Sequence, residues 1–404
     1  MLRRTVVTIV LFAVAVVSLA WVGNRVTLPH EEWGMAMEAG SLNATMQQVL
    51  GKPVTADLLF DYASARALRA RHDPYDRLAD LIDEIGGPAW HVDTANPHPP
   101  TMVALVLPAT LLDYEHALVA WSLGMVLVLA LTIRLVGVSW VYAIPVAIAL
   151  ACCWPAAYGI GNPVPLIGLG AALAFRYRER PWVAGLGLAF AAVPKLSGLL
   201  LAGAFLAALR WRPVVCAGAF VAVLGLVPVL LYPRTWSRYL DAGVDAIRVN
   251  ADRVDNAALI NAGTKLGVPA AITVVYVVAA AAIAAFVLRD LYWPSVWLLV
   301  ALLPIAWMYS LLTLVPVVVY VILGRRPFAT GLAIVATGVA VGSPSLGDWT
   351  IYTFPLVVAL VLLALATSGR RGDGMWPERD RLPERVSGLL GRWLSPRDAT
   401  VRPS

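Results

Sequence analysis

The sequence predicts an all-α polytopic membrane protein, a bundle of about ten to twelve transmembrane helices with a large first extracytoplasmic loop. Three observations predict it. Hydrophobic residues make up 60% of the 404 residues and charged residues only 14%, against about 25% charged in a soluble globule, and mean hydropathy is +0.75. Apolar runs near or above the roughly 18–20 residues needed to cross a bilayer recur along the chain. The basic residues behind the net charge of +6 sit in short clusters at the ends of those runs. That placement reads as membrane orientation, not as a nucleic-acid surface.

The elements follow in order. Arg3-Arg4 precedes an apolar run from Val6 to Val22 with no small-residue cleavage site after it, so the chain is expected to start in the cytoplasm with an uncleaved span. Residues 23–113 then form the extracytoplasmic loop. Over 23–100 it carries eleven acidic against six basic side chains, compatible with an external face. A span near 115–133 returns to Arg134, one near 138–156 leaves again, and 158–175 comes back to Arg176, Arg178 and Arg180.

The stretch 183–209 is interrupted by Pro194-Lys195 and ends at Arg210 and Arg212. As one straight crossing it would put every later basic cluster outside. A broken hairpin that enters and leaves on the same side restores the pattern. Its arms of about twelve residues reach roughly 18 Å each, and such breaks are tolerated only where they line a cavity. Further spans are expected over 213–232 and 268–288, as a pair within 293–323, and over 328–342 and 349–367, with a second outer loop over 233–266. The domain reading is therefore a transmembrane unit over 1–368 and a polar cytoplasmic tail over 369–404. Cys152, Cys153 and Cys216 all lie in apolar runs and read as small core residues.

Polar groups that could carry chemistry gather in the outer segments. Asp57 stands before a helix-like run, Tyr62 to Arg69, and reads either as an N-cap or as a general base that takes the proton of an attacking hydroxyl. Lys195, inside an apolar stretch, is expected to face a cavity and meet an anion such as phosphate; the other reading is a lysine reaching to the interface. Asp73-Pro74-Tyr75 and Asn96-Pro97-His98-Pro99-Pro100 read as turns, with His98 a polar ligand candidate. The loop arginines, Arg234 and Arg238 among them, read as solvated residues or as phosphate contacts. The five histidines show no metal spacing, and no Walker motif, dinucleotide fingerprint or nucleophile elbow is present. No cofactor and no metal are expected.

In order, these pieces resemble the polyprenyl-phosphate-sugar-dependent glycosyltransferases of the GT-C class, family 87, which includes actinobacterial α-mannosyltransferases and an arabinofuranosyltransferase. Asp57-Leu58-Leu59-Phe60-Asp61-Tyr62-Ala63, followed by Asp73-Pro74-Tyr75, is similar to the family's aspartate-led outer-loop motif. Asn96-Pro97-His98-Pro99-Pro100 is similar to its Tyr-Pro-Pro element. Gly161-Asn162-Pro163, with Ala184-Gly185-Leu186 and Pro194-Lys195, resembles its Gly-Asn/Gln and Lys-Pro segment, and Asn256-Ala257-Ala258-Leu259 its Asn-x-Ser-Leu element. The departures are His98 in place of tyrosine, Leu196-Ser197 after the lysine, and Leu303-Pro304-Ile305-Ala306-Trp307-Met308-Tyr309-Ser310 where mannosyl members carry two histidines.

The resemblance implies a plasma-membrane enzyme with both termini cytoplasmic. It would transfer a sugar, mannose before arabinose, from a polyprenyl-phosphate donor to a glycolipid or cell-envelope glycan on the outer face, with inversion. Asp57 would be the general base. Lys195, Arg234 and Arg238 would hold the donor phosphate, and Asp61, Tyr62, Tyr75, His98, Asn162, Asn256 and Tyr309 would contact substrate. Membrane lipids are the expected surroundings and nucleic acid is not a partner. The alternatives are an arabinofuranosyltransferase using decaprenyl-phosphate arabinose, or a non-catalytic binder or flippase of lipid-linked sugar.

Overall fold

The computed structural model describes residues 58–86, 94–152, 162–251 and 267–288, together with 258, 296, 299, 300, 302, 310 and 313–323. All regular structure among them is helical. The expected first span over 6–22, the later spans 328–342 and 349–367, and the tail lie outside the described residues. So does about half of the pair expected within 293–323.

The segment ahead of the long helices opens with α1, Leu58–Arg69. It is buried on most of its surface, Asp61 and Ser64 included, and only Arg66 and Arg69 near its end are exposed. It ends in a left-handed cap at Arg71, φ 63°, with His72 N–H donating to the Ala67 carbonyl at 2.9 Å and Arg71 N–H to that of Leu68 at 3.0 Å, which satisfies the last carbonyls. A short α2, Leu78–Glu84, packs on its far side. Proline at the first helical position starts α3, Pro100–Val106, which tightens into a 3-10 turn over Leu107–Leu111.

The bundle follows. α4, Tyr114–Leu135, is capped by Asp113 accepting the His116 N–H. Then come α5, Trp140–Cys152, α6, Val164–Arg176, and α7, Pro181–Ala192. A 3-10 turn, Leu196–Leu199, leads into α8, Leu200–Ala207, and then α9, Trp211–Leu231. By length and composition α4 and α9 can cross a membrane. α12, Ala270–Leu288, is a 19-residue apolar helix. Between them lie α10, Thr235–Arg238, a π-helical turn over Tyr239–Gly243, and α11, Val244–Ala251. The last is α13, Val315–Leu323. The segment read as a second outer loop, 233–266, is thus helical through residue 251; its short mixed-charge runs lack the length that marks a helix in sequence.

Small residues bring these helices together. A Cβ at Gly170 would lie 2.4 Å from the Gly187 carbonyl oxygen, and one at Gly187 would lie 2.5 Å from Ala174 N. So α6 and α7 run antiparallel in close contact. Gly185 faces Cys216 and the Pro213 carbonyl near the start of α9. At the far end of α7, Thr101 donates to the Val193 carbonyl at 2.8 Å, and its methyl faces Gly225, toward the end of α9. α7 and α9 are therefore parallel, and the chain between them has to double back. It does so at Pro194-Lys195. α8 returns, and Arg210 meets Glu179 at 2.8 Å and the Arg178 carbonyl at 3.3 Å, beside the point where α7 began. The break expected at Pro194-Lys195 is present, and the two ends of the segment come together as a broken hairpin requires.

Candidate functional site

The residues with chemistry gather where α1, α3, the α7 break and the π-helical turn meet. Asp61 has no exposed surface. A buried carboxylate is costly unless fully partnered, and Asp61 is: His98 Nδ1 lies 3.0 Å from each of its oxygens, and Asn96 Nδ2 donates to Oδ1 at 3.0 Å. Asn96 Nδ2 also lies 3.1 Å from Ser64 Oγ, and its side-chain oxygen accepts the His98 N–H at 2.9 Å. Proline on both sides of His98 keeps this strand of chain extended, so it presents side chains instead of continuing a helix. Facing a carboxylate, Nδ1 carries its hydrogen, which leaves Nε2 as the ring atom for another partner.

A second layer fixes the first. The Tyr75 hydroxyl donates to the His98 carbonyl at 2.8 Å, and its N–H donates to Asp73 Oδ1 at 2.9 Å. Burial, reinforced by Tyr239, Asp61 and Asp73, pushes the Tyr75 hydroxyl well above the usual phenol range, so it stays a donor. Asp73 also binds Arg238 Nε, and that hydrogen bond holds the guanidinium above its ordinary range. The Tyr75 and Tyr239 rings lie 5.5 Å apart. Gly243 leaves room for the Tyr239 ring, 2.6 Å from where a Cβ would stand, and brings the π-helical turn against the Asn96 carbonyl oxygen, 3.2 Å from that same point. Single π turns recur at functional sites.

Lys195 is half-buried and extended, φ −147° and ψ 126°. The Thr101–Val193 hydrogen bond ties its segment to α3, three residues from His98. Leu196 packs on the cluster formed by Tyr75, Met102 and Tyr239.

The structure thus brings together Asp61, Tyr75 and His98, adds Arg238 through Asp73, and sets the Lys195 segment alongside. Asp61, expected as a substrate contact, is wholly buried, so its influence on a ligand runs through His98. Tyr62 faces elsewhere and donates to the Leu112 carbonyl at 2.7 Å. Arg234 is exposed ahead of α10. Asn162 is buried and accepts the Val164 N–H at 3.1 Å, opening α6. Asp57, Asn256 and Tyr309 lie outside the described residues.

Sequence reading missed Asn96, Ser64, Asp73 and Thr101 as site-builders. Asn96 and Asp73 stood inside motifs read as turns, and that reading hid their side chains' long-range partners. Ser64 and Thr101 carried no signal.

One end of the bundle therefore holds Asp61, His98, Asp73 and Arg238. The opposite end holds Arg134, Arg176, Arg178, Arg180, Arg210 and Arg212, where α4, α6 and α8 finish and α7 and α9 begin. No cluster of His, Cys, Asp and Glu that could hold a metal occurs among the described residues.

The model of glycosyltransferase family 87 matches residues 97–310, just over half of the 404-residue chain. The chain belongs to that family. No curated protein and no solved structure matches it. The matched region takes in His98, Lys195 and Arg238, and α1 with Asp61 precedes it.

Proposed function

We propose that this family 87 chain is a multi-pass glycosyltransferase of the plasma membrane. It moves a sugar, mannose in the first instance, from a polyprenyl phosphate to a glycolipid or cell-envelope glycan on the outer face. Family membership carries the glycosyltransferase activity itself. The finer reading is supported by one arrangement: the buried Asp61–His98 pair and the Lys195 break adjoin at the end of the helices opposite the arginine clusters. By the positive-inside tendency the arginine end faces the cytoplasm, which leaves the site outside. We take residues 1–368 as the transmembrane unit, with 23–113 as its outer loop and 369–404 as a cytoplasmic tail.

In this reading the acceptor hydroxyl gives its proton to Asp57 as its oxygen attacks the anomeric carbon. The bond from that carbon to the phosphate oxygen breaks on the opposite face, inverting the centre. A positioned general base contributes about 10²–10⁴-fold. The departing phosphate gains negative charge, which Lys195, Arg234 and Arg238 stabilise. Arg238 reaches the phosphate while held from behind by Asp73. His98, its ring set by Asp61 and its carbonyl held by Tyr75, offers Nε2 to a sugar hydroxyl, and Asn162, Asn256 and Tyr309 complete the substrate contacts.

The test uses the purified full chain with polyprenyl-phosphate mannose, then arabinose, and a glycolipid acceptor, set beside Asp57→Asn. Mannose transfer that this substitution abolishes is the expected result. Transfer of arabinose alone replaces the sugar. Movement of intact donor without transfer makes the protein a flippase, and binding alone makes it a non-catalytic relative.

A further inference from the structure

A second polar feature lies apart from the Asp61–His98 site. A cleft of about 340 Å³ is lined on one side by Tyr62, Arg66 and Arg69 of α1, and on the other by Thr110, Leu111 and Leu112, with Asp113 and Tyr114 at its end. Both arginines point at one atom. Arg69 Nη1 donates to the Thr110 carbonyl oxygen at 2.7 Å, and Arg66 Nη1 reaches it at 3.5 Å. Each guanidinium has five N–H donors, so one shared carbonyl leaves most of them unused by the protein. No carboxylate pairs with either arginine among the described residues. Asp113, the nearest acid on the wall, is engaged by His116, whose N–H donates to it at 2.9 Å and whose Nδ1 lies 2.6 Å away. Two exposed guanidinium groups are thus brought to one point, with most of their donors facing the cleft. That arrangement suits a tetrahedral oxyanion bridging the two forks.

The same cleft borders apolar surface. Leu111 is 74% exposed and Leu112 44%, and the next turn begins α4, a 22-residue helix of membrane-crossing length. The Tyr62 and Tyr114 rings, 5.5 Å apart, stand at that junction, where aromatic residues gather at membrane–water boundaries. Exposed leucines beside paired arginines at the first residue of such a helix match the phosphate and upper acyl chain of a lipid.

We propose that the Arg66–Arg69 cleft binds the phosphate of a membrane lipid headgroup, with Leu111 and Leu112 against its acyl chains. The proposal rests on the membrane placement above but not on the transfer reaction, so binding alone tests it. Purified full chain in neutral detergent is titrated with dioleoylphosphatidylglycerol, with dioleoylglycerol, which has the tails but no phosphate, and with inorganic phosphate. Lipid retention is read by native mass spectrometry and stabilisation by Tm. Phosphatidylglycerol is expected to bind and raise Tm, while dioleoylglycerol does neither. Arg66→Gln with Arg69→Gln is expected to weaken phosphatidylglycerol at least about tenfold, as loss of charge-assisted contacts requires. Arg66→Lys with Arg69→Lys keeps the charge but loses the forks, and is expected to weaken it by about half that factor on a logarithmic scale. The lysine pair serves if the glutamine pair does not fold. Unchanged phosphatidylglycerol affinity in either pair overturns the proposal and leaves the arginines as ties for the 107–111 turn. Inorganic phosphate binding as tightly as the lipid overturns it in favour of a free-anion site.

Discussion

At one end of the helices Asp61 is wholly buried and meets His98 and Asn96. At the other, Arg210 meets Glu179 at 2.8 Å with the carboxylate 72% exposed. Both are acid–base pairs of similar length, yet they do different things. The Glu179 carboxylate stands in solvent and Arg210 is half-buried, so water already stabilises the acid and its partner adds little. The buried pair has no solvent to fall back on, so each group depends on the other for its hydrogen bonds. Contact distance alone does not rank these interactions; the surroundings do. The end of the bundle that reads as functional is the one where polar groups have been withdrawn from water and tied to one another.

The comparison breaks first at Asp61. Asp61→Ala strands His98 and Asn96 in the interior and is expected to cost about 3–5 kcal/mol of stability, the scale of breaking a buried pair. A double-mutant cycle with His98→Ala measures the coupling; a coupling as weak as that of a surface pair would end the contrast drawn between the two ends.

A smaller effect tests the α7 break, which belongs to the site end. Gly198 sits so close that a Cβ would lie 1.9 Å from the Ala191 carbonyl oxygen and 2.6 Å from Ala192 N. Both are backbone atoms, so nothing flexible can give way. Gly198→Ala is expected to cost about 1–3 kcal/mol, the range for overpacking, and to lower transfer by displacing Lys195. Denaturation and activity measured on the same preparation check this. An unaltered protein would mean that the two arms do not press together.

The smallest effect sharpens the contrast from the other side. Glu179→Gln removes the charge facing Arg210 and is expected to leave Tm and transfer within experimental error. A clear loss would show that this end, too, depends on its ion pair, and that closure of the hairpin at Arg210 is held by charge instead of by helix packing.

Much of the architecture was legible in the chain. Hydropathy marked apolar helices near 115–133 and 213–232, and helices of membrane-crossing length stand there, Tyr114–Leu135 and Trp211–Leu231. Pro194 beside a lysine marked the break, and the arginine clusters required the chain to return there. The helices between Thr235 and Ala251 were not legible, because runs this short with mixed charge look like loop. Asp61 and His98 were legible as polar residues in suggestive motifs. Their pairing was not: they stand 37 residues apart, and no local pattern states which of several acids an imidazole will meet.

The chain alone was enough for the all-helical class, for the apolar helices Tyr114–Leu135 and Trp211–Leu231, and for the break at Pro194-Lys195. Those properties follow from apolar length, proline and charge, which act over a few neighbouring residues. Tertiary structure alone decided that α7 and α9 run parallel, that Asp61 is sealed behind His98, and that Arg66 and Arg69 converge on one carbonyl. Each of those depends on packing between segments distant in the chain, where the close approach of glycine faces and the burial of a charge choose the partners.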